Sequence, residues 1–147
     1  MVEVRARKSF FTKEPYSRET NILAFQWILK EAKTTGKGFV AVHVPRNLRD
    51  ILYGVIPDEL IRRLKSKGRI ASSGIEIVRV TKNIRPYDGG NSPMVVYHPS
   101  MGLLKKLDTI PNISSVLAVP MTVGEIEEWI KTWNATELKL ANPQADN

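Results

Sequence analysis

Three apolar runs in this chain each end in a proline followed by a residue that can cap a helix. Residues 39–44 precede Pro45 and Asn47, residues 94–98 precede Pro99 and Ser100, and residues 116–119 precede Pro120 and Thr122. Proline has no N–H to give to a sheet ladder, so it ends a strand. Asn, Ser and Thr side chains accept hydrogen bonds from the first free N–H groups of a helix. Each run therefore reads as a strand-to-helix junction. The runs are valine-rich and nearly continuous, which suits strands covered on both faces, as in a parallel sheet.

The segments between them fit that scheme. Residues 17–35 place Ile22, Phe25, Ile28, Leu29 and Ala32 on one helical stripe, closed by Gly36 and Gly38. Residues 47–67 are helical with a break at Pro57; Asp58 and Glu59 suit the first turn of the second piece, Lys65 and Lys67 its last. Short helices are predicted over 100–107 and from Thr122, whose spacing to Glu125 is that of a capping box, to Trp133. Residues 75–81 alternate polar and apolar and are expected at a sheet edge; residues 2–12 alternate loosely and read as an edge strand or a basic arm. Residues 141–147 read as a frayed tail.

Alternating strands and helices imply a parallel sheet with right-handed crossovers. The expected fold is a small Rossmann-like layered α/β domain. It has a mostly parallel central sheet of about four to five strands, flanked by about four helices, in a single domain over residues 1–140. The 147 residues are enough for one such core.

Several function classes lack their signatures. There is no cysteine, which removes disulfides and thiolate chemistry and fits a reducing, cytoplasmic setting. No stretch has the length and apolarity of a membrane span or a secretory signal, so no membrane partner is expected. The first buried run leads into "PRNLRD", without the glycines of a dinucleotide or P-loop fingerprint. No G-x-S-x-G elbow is present. The buried runs end in His and Pro, not in the carboxylates that hold hard cations, so no metal site and no cofactor are predicted. The sequence leans away from an enzyme.

Charge is unevenly placed. Residues 1–69 carry 15 bases against 7 acids, whereas residues 70–147 carry 7 against 8. That asymmetry makes a polyanion, nucleic acid foremost, the first expected partner. The candidate contacts are Arg5, Arg7, Lys8 and Lys13 near the start and Arg62, Arg63, Lys65, Lys67 and Arg69 in the densest basic cluster, with Phe10, Phe11 and Tyr16 available to stack on bases.

A second reading puts an anion-binding or enzymatic site at the carboxyl ends of the strands, where open α/β sheets hold ligands. That rim would bring together His43, Arg46, Asn47, His98, Ser100, Met121 and Thr122, beside helix N-termini that favour anions. The loop "RPYDGGN" adds Arg85, Tyr87, Asp88 and Asn91 as phosphate, base or stacking candidates, although Asp-Gly and Gly-Asn are ordinary turn pairs. A third reading is a homo-oligomeric interaction subunit, with the 75–81 edge and the three tryptophans as contacts.

Overall fold

The computed structural model describes residues 7–13 and 17–140. Among the described residues, seven strands form one sheet. They are β1 (Lys8–Phe11), β2 (Lys37–Ala41), β3 (Arg69–Ser72), β4 (Ile75–Val80), β5 (Ser92–Tyr97), β6 (Ile113–Val119) and β7 (Thr136–Glu137). Their order across the sheet is β3-β4-β2-β5-β6-β1-β7, and every pairing is parallel except β3 with β4. The layered α/β fold is thus present, with seven strands where four to five were expected.

Among the described residues, five α-helices flank the sheet: α1 (Arg18–Ala32), α2 (Asn47–Leu52), α3 (Asp58–Lys67), α4 (Met101–Leu107) and α5 (Glu127–Trp133), the last entered through a 3₁₀ turn at Val123–Ile126. Side chains alternate across a strand, so each register row feeds one face. Val40, Val95 and Leu117 align across β2, β5 and β6 and pack under α1, α2 and α3. The next row, Ala41, Val96 and Ala118, faces the other way, toward α4 and α5. Both faces are covered, which is why the central runs need no polar alternation.

Local signals explain most boundaries. Ser17 caps α1 by accepting from the Thr20 N–H at 3.1 Å, and Ser100 caps α4 by accepting from Leu103 at 3.1 Å. Gly68, at φ 80°, closes α3 in the left-handed conformation. Pro93 lies inside β5, but at a register shift between β5 and β6, the kind of irregularity to which a strand proline is suited.

The expected edge at 75–81 is corrected. β4 is the second strand in, because the four-residue β3 pairs with it through the Ser73–Gly74 turn. β3 is too short to show a period, and Arg69 follows Gly68 so closely that the segment reads as a helix ending. β7 is two residues long and carries no sequence signal of its own.

Candidate functional site

Strands β2 and β5 are hydrogen-bonded neighbours, paired Phe39 to Met94, Val40 to Val95 and Ala41 to Val96. From β2 the chain leaves through α2 and α3 over one face toward β3 and β4. From β5 it leaves through α4 over the opposite face toward β6. The two connections diverge, so β2 and β5 flank a topological switch point, the place where open α/β sheets hold ligands. His43 lies two residues beyond Ala41, and His98 lies one residue beyond Tyr97. Both histidines of the protein therefore stand beside this switch point, at the ends of adjacent strands about 4.8 Å apart.

His98 is the more constrained of the two. Its φ is +49°, left-handed backbone for a residue with a Cβ. Pro99 disfavours the right-handed helical region for the residue before it. The left-handed region is then the route by which the chain can turn out of β5 into α4. His98 is half-buried, and burial holds its imidazole below the usual histidine range. The Glu125 carboxylate opposes that shift, and His43 adds to it. His43 and Glu125 are thus both within electrostatic reach of His98. Below the rim, the Tyr97 hydroxyl donates to the backbone carbonyl of Asn21 at 2.9 Å, which fixes the first turns of α1 over β5.

Glu125 is a rim residue that the sequence disclosed only as half of a capping box. Both the N–H and the hydroxyl of Thr122 donate to its Oε1, at 3.1 and 2.9 Å, which holds the carboxylate at the end of β6. Thr122 and Ser100 are therefore engaged in turn and cap bonds. Asn47 does not cap α2 as expected. It is the first helical residue, and its Oδ1 accepts from the Val44 N–H at 3.3 Å, pinning the turn between strand and helix. Arg46 is exposed and forms no ion pair among the described residues. Met121 is half exposed beside them. The helix N-termini contribute less than expected, since α2 and α4 are six and seven residues long.

The "RPYDGGN" loop lies elsewhere. Asp88 accepts from the Gly90 N–H and from Asn112 Nδ2, both at 2.7 Å, and these bonds hold its carboxyl below the usual range. Arg85 donates to the Lys106 carbonyl and to Thr109, anchoring the loop on the end of α4. Tyr87 is 97% exposed. Arg85, Tyr87, Thr109 and Pro111 border an open cleft of about 320 Å³ near the amino ends of the strands, away from the histidines. Asp88 and Arg85 have structural partners, so the turn reading accounts for them.

The basic residues do not form one patch. Arg5 and Tyr16 lie outside the described residues. Arg7 is turned inward: its side chain is 7% exposed, paired with Asp108 and stacked on Trp133, so it is not a surface contact for a polyanion. Phe10 packs edge-on against Trp27 and Phe11 joins the opposite core, so neither is free to stack on bases. Lys8 and Lys13 are exposed at opposite ends of β1. Arg62, Arg63, Lys65, Lys67 and Arg69 are exposed on and after α3, far across the sheet from β1, with Arg63 paired to Glu59 and Arg69 to Glu76. The features expected to support self-association also make contacts within the chain. β3 covers β4, Trp27 packs on Phe10, and Trp129 and Trp133 donate to Asp108.

Among the described residues, no three His, Cys, Asp or Glu side chains group as metal ligands, and no helix is long and apolar enough to cross a membrane. No protein-family model matches the sequence, and no curated protein or solved structure matches the chain.

Proposed function

We propose that the chain is a ligand-binding α/β domain that takes a small anionic molecule in the crevice between His43 and His98. The observation that carries this reading is the placement of both histidines on either side of the switch point of a mostly parallel sheet. The chemistry is compatible with it. A half-buried imidazole kept neutral can accept a hydrogen bond from a ligand hydroxyl or amide, or donate one from its other nitrogen. Arg46, on the turn after β2, supplies a charge with no ion-pair partner among the described residues.

The test uses the two imidazoles as reporters. Inorganic phosphate, citrate and adenosine monophosphate are titrated into the protein while the histidine ring signals are followed by NMR. At least one probe is expected to move the signals of both His43 and His98, with saturation, and to lose affinity at least tenfold in His98→Asn. If no probe moves either ring at millimolar concentration, the reading fails.

A further inference from the structure

We propose that the ligand is single-stranded nucleic acid lying along the carboxyl rim, with phosphates on Lys67, Lys82, Arg46 and Lys13 and one nucleotide seated between His43 and His98. This rests on the switch-point reading and takes the small anion of that site to be one nucleotide of a longer strand. The topology orders these residues. Lys67 ends α3 just before β3, Lys82 follows β4, His43 and Arg46 follow β2, His98 follows β5, and Lys13 follows β1. In sheet order, every strand position from β3 to β1 except β6 thus places a basic or imidazole side chain at this rim. Six strands at about 4.8 Å spacing make a strip roughly 24 Å long.

The four cations are exposed and form no ion pair among the described residues. Of the acids near this rim, Glu125 is already bonded to Thr122, Glu19 and Asp50 lie in the first turns of α1 and α2, and Glu137 ends β7. A stacking surface adjoins the strip: Tyr53, which ends α2, is 59% exposed, and the Arg18 guanidinium at the start of α1 lies 5.3 Å from its ring centre. Cations that track a backbone beside an aromatic platform are the equipment for unpaired bases, whereas a duplex leaves no base face free to stack.

The experiment is fluorescence anisotropy with a labelled twelve-residue oligothymidylate, alone and annealed to its complement, at 50 and 200 mM NaCl. Four phosphate contacts on a single strand predict a loss of affinity of about 50-fold between the two salts. The double variant Lys67→Ser, Lys82→Ser is expected to cut that ratio to about 7-fold. The control Lys33→Ser, Lys37→Ser, equal in charge but at the amino ends of the strands, should keep it near 50. His98→Asn should weaken binding by a similar factor at both salts.

Absence of binding at 50 mM salt overturns the proposal. So does equal damage from the control pair, which would mean undirected charge, and so does tighter binding of the duplex. If the oligonucleotide fails while a small anion still moves the histidine signals, the nucleic-acid proposal falls and the small-ligand crevice stands. If the oligonucleotide binds but His98→Asn is without effect, the crevice is not part of the path and the proposal falls as well.

Discussion

Arg7 and Asp108 form an ion pair at 2.9 Å that joins the start of β1 to the end of α4. The guanidinium lies 3.5 Å from the ring centre of Trp133, and the indole N–H groups of Trp133 and Trp129 both donate to the same carboxylate, at 2.9 and 3.3 Å. One acid thus serves three donors from two parts of the chain, and α5 is fastened through it. Sequence proximity grouped Arg7 with the surface cations of the N-terminal stretch; in the fold it is an internal connector.

Removing the acid should therefore cost more than removing the base. Asp108→Ala leaves a largely buried guanidinium and two indole donors without their acceptor, and should lower stability by about 3 kcal/mol in urea denaturation. Arg7→Met keeps much of the packing volume and should cost no more than about half as much. Tryptophan emission should shift to the red in Asp108→Ala, since two of the three indoles lie at this site. Equal losses in the two variants would contradict the assignment of Asp108 as the shared acceptor.

The Tyr97 hydroxyl is a second connector, reaching from β5 to the Asn21 carbonyl. It is fully buried, and desolvation pushes its ionisation far above the usual tyrosine range, so it acts as a neutral donor at every practical pH. Tyr97→Phe should cost about 1 kcal/mol, the net worth of one neutral hydrogen bond. A loss above about 3 kcal/mol in chemical denaturation would mean that the hydroxyl holds more than α1.

The three proline-ended runs carried the architecture, because a strand buried on both faces leaves a continuous apolar signature and its junction residues are chemically distinctive. The same runs placed His43 and His98 at one rim. What stayed hidden depends on pairing between distant segments. β3 is an edge strand of four residues, and only its pairing with β4 defines it. The switch point needs the strand order, which periodicity does not encode. Glu125 looked complete as a capping residue, so its second neighbour, His98, had no local signal. Arg7 shows the same limit: a charge in an alternating segment reads as solvated until its partner, 101 residues later, is known.

Gly89 is fixed by close approach. A Cβ there would clash with Ile113 Cδ1 and would meet the Asn112 carbonyl oxygen at 2.6 Å. The backbone oxygen cannot give way cheaply, so Gly89→Ala should destabilise by about 1–3 kcal/mol. Asp88→Ala, which loses two turn bonds on an exposed loop, should be the milder change. Neither should alter the histidine signals at the rim, and a clear shift there would tie this loop to the crevice.

Acid should weaken the fold through His98. Its folded pKa lies below the ordinary 6.5, so the unfolded chain binds the proton more readily. Well above pH 6.5 both states are neutral and His98 contributes no pH dependence. As pH falls below 6.5, stability should decline, levelling off once the folded imidazole also titrates. Glu125→Gln removes the charge that partly supports the imidazolium, so it should lower the His98 pKa further in an NMR titration. His98→Asn should abolish this part of the acid sensitivity. A His98 pKa above 6.5 would reverse the sign and refute the account.

The left-handed backbone at His98 separates its conformational role from its chemical one. At φ +49° a β-branched side chain is strained, whereas Asn and Gly adopt this region readily. His98→Val should therefore lose about 2 kcal/mol, while His98→Asn and His98→Gly should stay within about 1 kcal/mol of the parent in thermal or urea unfolding. If the imidazole is there for a ligand, Asn and Gly will keep the fold and lose binding at the rim. Full binding in His98→Asn would instead assign His98 to the turn alone, because the backbone geometry would have survived and the imidazole would have proved dispensable.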